Sequence, residues 1–287
     1  MFQLTGRHID AIGYNITVSN GLGTTLTIGN SCQYPNPAIT SDLSNAFCLN
    51  SNPVTLTGNP GDANIVSQGF TVNGVPSATF DPGVGPGIYT IEYLVDGGLP
   101  KSFGPNDPGC IQAVSQQITV VEVPSVINPG NQVLCADSIT ISVEFNGSPQ
   151  GSVYNWSNNN TTIGLSASGS GNIPSFVAAN NSTVVQTAQI TVTPQFTNAG
   201  IVCFGPSQTF TISVNPTPNA VATPSTQTIC SGGSITTIVF SGNVSGTSYN
   251  WTRDNSATVT GIPASGSGNI SGILTNTTNA PVTVSFT

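Results

Sequence analysis

The sequence predicts an all-β protein made of tandem β-sandwich domains in a linear array, and three observations support this prediction. Short runs of alternating apolar and polar residues recur along the 287 residues, separated by turns rich in the 32 glycines and 21 prolines. No stretch keeps the 3.6-residue apolar period of an amphipathic helix over more than two turns. One block of about 95 residues also occurs twice, and that is the size of one small sandwich domain.

The repeated block defines the register of its two copies. Both copies contain, in order, Gln-x-x-Cys, Phe-x-Gly, Tyr-Asn-Trp and Ala-Ser-Gly-Ser-Gly-Asn-Ile. Cys135 and Cys230 are 95 positions apart, as are Trp156 and Trp251, whereas the seven-residue match is 97 apart (starting at 167 and 264). Two residues are therefore inserted after the second tryptophan. A length change confined to one loop is typical of repeated domains.

Strand and turn signals divide the chain into four segments. Residues 14–18 and 24–28 alternate on either side of Asn20-Gly21, which predicts a β-hairpin near the N-terminus. The second copy of the block reaches residue 287 before the counterpart of Cys203. The predicted domains are the C-terminal hairpin of a truncated domain (1–36), a complete sandwich (37–124), the first full copy of the block (125–217) and a second copy truncated at its C-terminal end (218–287).

Composition excludes several classes of partner. Charged residues make up only 5% of the chain, with 3 Lys+Arg against 11 Asp+Glu and a net charge of −8. So few cations cannot neutralise a phosphate backbone, and an acidic surface is repelled by anionic lipid. No apolar run approaches the length of a membrane span. We therefore expect no nucleic-acid partner and no direct membrane insertion.

The six cysteines predict disulfides and an oxidising, extracellular location. None of them has the Cys-x-x-Cys spacing of zinc or thioredoxin-like sites. One cysteine near each end of a domain is instead typical of one bridge per domain. The predicted pairs are Cys48–Cys110 and Cys135–Cys203, with Cys32 and Cys230 left over in the truncated segments. A Cys32–Cys48 pair across the linker is the alternative.

Each copy of the block carries one pair of aromatic residues two positions apart. These pairs are Tyr154 with Trp156 and Tyr249 with Trp251, about 20 residues after the cysteine. Residues two apart on a strand share one face, so we expect the four side chains to pack in the sandwich cores. A platform on which sugars stack is the functional alternative.

Residues that could support catalysis or hold a cofactor are sparse. His8 is the only histidine and lies near the N-terminus, so no Ser-His-Asp or Cys-His arrangement is predicted. Asp96 and Asp107 could contribute to a calcium site, although they lack the spacing of an EF-hand. We therefore expect a protein that is not an enzyme and has no cofactor.

The motifs together resemble a known family. Cys…Phe-x-Gly…Tyr-x-Trp…Gly-Ser-Gly-Asn-Ile-Pro…Cys…Thr-Ile-Ser-Val-Asn-Pro is similar to the PKD-like repeats of large Bacteroidota surface proteins, including gliding-motility adhesins and other cargo of the type 9 secretion system. The segment 37–124 resembles the Ig-like repeats that accompany them. The resemblance implies tandem Ig-like/PKD-like β-sandwiches, and the truncated segment 1–36 would then belong to an Ig-like domain. It also implies O-glycosylation at Ser138, because Asp137-Ser138-Ile139 fits the short pattern used in these bacteria.

Three functions follow from this sequence reading. The first is a non-enzymatic stalk or filament segment of a bacterial cell-surface adhesin, which displays a distal binding region for attachment or gliding. The second is a carbohydrate-binding accessory module of a secreted polysaccharide-degrading enzyme. The third is a filament subunit in which residues 1–36 of one copy complete the last domain of another by strand addition. The expected partners are neighbouring repeats of the same chain, other copies of it, or surface polysaccharide.

Overall fold

The computed structural model describes residues 37–59, 67–96 and 111–287, together with the backbone of two strands nearer the N-terminus. The regular structure of these residues consists of β-strands and two single-turn 3-10 helices, Pro82–Val84 and Thr161–Ile163. No helix in the described part of the chain is long and apolar enough to cross a membrane. The described residues thus confirm the all-β fold class.

The first two strands form an antiparallel pair. They are β1 (Tyr14–Ser19) and β2 (Thr25–Asn30), and their register places Tyr14 opposite Asn30 and Ser19 opposite Thr25. The pairing confirms that both predicted strands of the hairpin form. The predicted turn at Asn20-Gly21 lies outside the described residues.

The chain folds into two compact units whose boundaries interleave along the sequence. Unit 1 contains Met1–Ser125, Gly147–Val153 and Pro194–Pro206. Unit 2 contains Val126–Asn146, Tyr154–Thr193 and Ser207–Thr287. Two short segments of the first repeat copy therefore belong to the same compact unit as residues 37–124.

Residues 37–124 build one main sheet with strand order β4-β11-β10-β7-β8 and two small pairs, β3 with β6 and β5 with β9. The strands are β3 (Ala38–Ile39), β4 (Ala46–Cys48), β5 (Val54–Thr55), β6 (Gly58–Asn59), β7 (Ser67–Val72), β8 (Val75–Pro76), β9 (Thr79–Phe80), β10 (Gly87–Asp96) and β11 (Ile111–Val121). The short strand β4 is parallel to β11, whereas β10 is antiparallel to both of its neighbours.

The core of this sandwich is aromatic at its centre. Alternate residues of β10 are buried, namely Ile91, Tyr93 and Val95, as the alternating sequence of that strand requires. Phe80 is 1% exposed and packs edge-to-face against Phe47, with ring centroids 5.8 Å apart. The alternation of buried and partly buried residues along β10 places one face of this sheet against the core.

The first repeat copy builds a six-stranded sheet in the order β12-β17-β15-β13-β14, with β16 paired to β15. The strands are β12 (Gln132–Cys135), β13 (Val153–Asn158), β14 (Ser168–Ser170), β15 (Gln186–Asn198), β16 (Ile201–Phe204) and β17 (Gln208–Asn215). Its core includes Trp156, Ile190 and Ile212. The short first strand β12 is parallel to the last strand β17, as β4 is to β11.

The second repeat copy contains shorter strands around a smaller core. They are β18 (Val221–Thr223), β19 (Gly233–Ser234), β20 (Val239–Ser241), β21 (Asn250–Thr252), β22 (Val259–Thr260), β23 (Ser265–Ser267) and β24 (Ile273–Asn276). Ile235, Trp251, Ile262 and Ile270 form its buried cluster. The pairing of β21 with β23 matches that of β13 with β14 in the first copy.

Candidate functional site

The repeated tryptophan and the repeated glycine-rich stretch form one structural module. Trp156 lies directly opposite Gly169 in the pairing of β13 with β14. A Cβ atom at Gly169 would overlap the Cζ2 atom of the indole ring, so the ring covers this glycine. The indole Nε1 donates a hydrogen bond to the carbonyl of Gly171 over 3.1 Å. Each glycine of the stretch therefore serves the tryptophan, one by lacking a side chain and one as an acceptor.

The second copy reproduces this module. Trp251 lies opposite Gly266, where a Cβ atom would again overlap the ring. Its Nε1 donates to the carbonyl of Gly268 over the same 3.1 Å. The tryptophans are 95 positions apart and the glycines 97 positions apart, because the two inserted residues lie in the loop between them. In both copies the tryptophan and the glycine contact each other across this loop.

The last two residues of the stretch attach it to the segment that precedes the tryptophan. The Oδ1 atom of Asn172 accepts the backbone N–H of Phe145 over 2.9 Å, and Asn269 accepts that of Phe240 over 3.2 Å. The next residue, isoleucine in both copies, is 1% exposed and forms an isolated antiparallel bridge, to Val143 in the first copy and to Ile238 in the second. The repeated asparagine therefore has a hydrogen-bonding role and the repeated isoleucine a packing role.

The repeated aromatic residues are covered by protein. Trp156 and Trp251 are each 8% exposed. The partly buried Tyr154 and Tyr249 each lie beside the phenylalanine of Phe-x-Gly, with ring centroids 5.7 Å and 5.5 Å apart. A ring that stacks on a sugar needs an open face, and neither indole ring has one. This arrangement favours a core role for the tryptophans over carbohydrate stacking.

Two buried polar residues, which the sequence analysis did not predict, lie two positions after the two tryptophans. Asn158 donates through Nδ2 to the carbonyls of Leu165 (3.0 Å) and Ser166 (3.2 Å). Arg253 donates through Nε to the matching carbonyls of the second copy, 2.8 Å and 3.0 Å away. Both side chains are at most 9% exposed. The equal spacing from each tryptophan was the signal available in the sequence.

The arginine also supports the longer loop of the second copy. Its Nη2 donates to the carbonyl of Val259 over 2.9 Å. That loop carries the two inserted residues, so it has additional backbone carbonyls that need donors. Asparagine is too short to reach them, whereas the guanidinium presents several N–H groups in one plane.

The structure corrects the predicted disulfides. Cys48 is bonded to Cys203, with their Cα atoms 5.6 Å apart, and both residues belong to unit 1. The predicted Cys48–Cys110 pair is therefore wrong, as is the alternative Cys32–Cys48 pair. Cys110 and Cys32 themselves lie outside the described residues.

The predicted Cys135–Cys203 pair is also wrong, and strand register gives the physical reason. Cys135 lies opposite Asn215, at the end of the sheet where Val214 pairs with Gln186. Cys203 lies opposite Phe196, ten positions further along β15 (196 against 186). Ten residues of extended strand span roughly 33 Å, far beyond the reach of a disulfide. Cys135 and Cys230 are free, exposed thiols.

The remaining predicted site residues lie at separate places in the chain, and one of them lies outside the described residues. Ser138 is exposed in the turn after β12, where its backbone N–H donates to the carbonyl of Cys135 over 3.2 Å. Asp96 ends β10, and Asp107 lies outside the described residues. Within the described residues no group of three or more His, Cys, Asp or Glu side chains could hold a metal ion.

The second repeat copy matches a known family. Residues 227–287 match the family described as PKD-like domain. No curated protein matches the chain. The first copy has the same motifs and the same tryptophan–glycine module, which supports an Ig-like or PKD-like repeat.

Solved structures similar to the chain come from multidomain proteins of low sequence identity. An I-band fragment of titin is 15% identical, with 83% of this chain and 88% of that chain covered and a TM-score of 0.40. Sidekick-1 immunoglobulin domains 1-4 are 14% identical, with 72% and 59% covered and a TM-score of 0.35. PcdhgB3 EC1-4 is 10% identical, with 92% and 73% covered and a TM-score of 0.34.

Proposed function

We propose that the chain is a non-catalytic structural segment of a bacterial cell-surface adhesin, which carries a distal binding region away from the cell. Tandem Ig-like and PKD-like sandwiches support a structural repeat. The resemblance of the motifs to gliding-motility adhesins of the type 9 secretion system supports the bacterial surface and a role in attachment or gliding. On this proposal the repeats transmit force and the ligand binds elsewhere.

The disulfide between Cys48 and Cys203 is the observation that carries the proposal. It joins β4 of the sandwich 37–124 to β16, which is part of the sheet built by the next repeat. The link encloses 155 residue steps, and closing a loop of that length stabilises by about 5 kcal/mol on the chain-entropy model. Tension between the two repeats therefore has a covalent route besides the linker.

The same bond supports an extracellular location. Structural disulfides persist in oxidising compartments and are rare in the cytosol. Cys203 is fully buried, whereas Cys48 is partly exposed. A structural disulfide between these residues fits a protein that works outside the cell.

Domain replacement on the cell surface tests the proposal. Residues 37–287 would be replaced in the parent protein by the same number of unrelated sandwich domains, and attachment of cells would be compared with a strain in which the residues are deleted. A spacer predicts that replacement restores attachment and deletion reduces it. Loss of attachment in both strains, despite equal surface display, would show that these residues bind the ligand themselves.

Carbohydrate binding is the rival function, and a titration separates it from the spacer. Both tryptophans are buried, so soluble polysaccharides are expected to leave the fluorescence of the purified chain unchanged. A saturable change that disappears in Trp156→Phe would favour the carbohydrate-binding module. Glycosylation at the exposed Ser138 is a separate proposal, tested by the peptide mass of the native protein against Ser138→Ala.

A further inference from the structure

The segment that follows β12 in the first repeat copy has its polar and apolar residues in inverted positions. Ile139 and Ile141 are 72% and 77% exposed, whereas Thr140 between them is 4% exposed. A strand that packs against a core normally buries its apolar residues and exposes its polar ones. The first copy therefore exposes two isoleucines and buries one threonine within the same three residues.

The second repeat copy has the opposite arrangement at the same three positions. The side-chain amide of Gln132 donates to the carbonyl of Ile141 over 2.9 Å and accepts its N–H over 3.1 Å. Gln227 makes the same two bonds to Thr236, over 3.0 Å and 2.8 Å, so Ile141 and Thr236 are equivalent. Here the middle residue, Ile235, is 8% exposed, and its serine and threonine neighbours are exposed. The fold itself therefore does not require isoleucine on the outside.

Hydrogen bonds hold the threonine of the first copy in place. The Thr140 N–H donates to the carbonyl of Phe176 over 2.9 Å, and the Thr140 hydroxyl donates to the same carbonyl over 3.2 Å. The hydroxyl also accepts the Phe176 N–H over 2.9 Å. Because a shift of the strand by one residue would break all three bonds, they fix the direction in which both isoleucines point.

A third apolar side chain lies beside the two isoleucines. Val177 is 59% exposed and forms an antiparallel bridge with Ile139. Residues directly opposite each other have neighbouring side chains, and Ile141 shares the side of Ile139 because it is two positions away. We call Ile139, Ile141 and Val177 the aliphatic face. It exposes on the order of 300–400 Å² of mainly apolar surface, a size at which patches on monomers are often functional.

The charges around the aliphatic face indicate what kind of partner it fits. Asp137 and Glu144 are exposed on either side of the isoleucines in the sequence. The one Lys or Arg among the described residues is Arg253, which is 9% exposed and donates to backbone carbonyls of the second copy. A second copy of the chain would bring mostly further carboxylates, since the sequence has 3 Lys+Arg against 11 Asp+Glu. Charge complementarity therefore favours a basic partner over self-association.

We propose that the aliphatic face is a docking site for a protein segment that carries aliphatic side chains between Lys or Arg residues. The aliphatic side chains of the partner pack on Ile139, Ile141 and Val177, and its cations lie near Asp137 and Glu144. The inference goes beyond the proposed function, because a segment that acts only as a spacer needs no apolar docking face.

Exchange of residues between the two copies tests the proposal. The double variant Ile139→Ser/Ile141→Thr carries the residues that the second copy has at these positions, so it is expected to fold. The probe is a fluorescein-labelled peptide, Lys-Leu-Lys-Leu-Lys-Leu-Lys, and binding is measured by fluorescence anisotropy. The wild-type chain is expected to bind the peptide, and the double variant to bind it roughly tenfold more weakly.

Val133→Thr is the matched control. Val133 is also 72% exposed, but it lies on β12, which pairs with β17, and the second copy again has threonine at its equivalent, Thr228. This variant should bind the peptide as the wild-type chain does. No saturable binding to the wild-type chain, equal binding by the double variant, or equal binding of a peptide with serine in place of leucine would overturn the proposal.

Two further measurements separate the basic partner from other occupants. Asp137→Asn/Glu144→Gln leaves the aliphatic face intact and should weaken peptide binding about threefold, with a smaller dependence on salt. Unchanged affinity and salt dependence would contradict the choice of a basic partner. Sedimentation velocity tests self-association: a wild-type dimer that the double variant no longer forms would make a second copy the occupant and overturn the proposal. All of these results leave the spacer function intact, because it rests on the Cys48–Cys203 bond.

Discussion

The indole ring of Trp156 covers Gly169, the residue directly opposite it on the neighbouring strand. This relationship explains why a tryptophan and a distant glycine-rich stretch recur together in the sequence. The ring fills the place that a side chain at position 169 would take, and its Nε1 reaches the carbonyl two residues further on. The module is thus a compact unit of packing and hydrogen bonding in each repeat copy.

Gly169→Ala is expected to destabilise the first repeat copy by about 1–3 kcal/mol, because the added methyl group forces the indole ring out of its position. Urea unfolding monitored by tryptophan fluorescence measures this loss. Ser170→Ala is the matched control, since that exposed residue lies on the same strand, next to Gly169. Equal midpoints for the two variants would contradict the covering role of the ring.

Trp156→Ala is expected to cost about 3–5 kcal/mol, the range for loss of a large buried aromatic side chain. Trp156→Phe should cost less than Trp156→Ala, because it keeps an aromatic ring in the core. Its remaining cost comes partly from the lost hydrogen bond to Gly171. Calorimetry would follow the unfolding of the first copy. A Trp156→Ala protein with an unchanged melting temperature would place the side chain outside the core.

Much of this packing could be predicted from the sequence, and the disulfide could not. Tyr154 and Trp156 lie on an alternating strand, and alternation depends only on local geometry. The partner of Cys48 is instead a residue of β16, which is 155 positions away in the sequence. Spacing within one repeat favoured Cys110, because it contains no information about a hairpin contributed by the next repeat.

The burial of Arg253 could not be predicted from the sequence either, because an isolated arginine in a polar chain is normally expected at the surface. Its burial follows from the two inserted residues, which lengthen the loop that it supports. Only the comparison with Asn158, at the same distance from the tryptophan, relates the two positions. The local sequence pattern predicts the sandwich. The replacement of asparagine by a buried arginine beside a longer loop depends on tertiary contacts.

Arg253→Met is therefore expected to destabilise the second copy by at least about 2 kcal/mol, because it leaves several buried carbonyls without donors. The carbonyls of Ile262 and Val259 are among them. Thermal unfolding followed by Trp251 fluorescence measures the effect. The neighbouring exposed Thr252→Ala should change stability by less than about 0.5 kcal/mol. Similar small losses in both variants would refute the supporting role.

The stability of unit 1 should fall at high pH because of Tyr93. Burial raises the pKa of this phenol above its ordinary value of 10.0. Above pH 10 the unfolded chain releases the phenolic proton while the folded chain keeps it, so the free energy of unfolding decreases as the pH rises. Urea unfolding by circular dichroism from pH 8 to 11 measures the slope. Tyr93→Phe should reduce that slope, and an unchanged slope would contradict the assignment.

Stretching of single molecules, held at residue 37 and at the C-terminus, tests most directly whether the disulfide carries load between repeats. With Cys48 bonded to Cys203, the 155 residue steps between them cannot extend. We predict that reduction of the bond increases the final extension by roughly 550 Å, at about 3.6 Å per residue. Cys48→Ser should show the longer extension without reductant. Equal extensions of the oxidised and reduced wild-type chain would contradict the account.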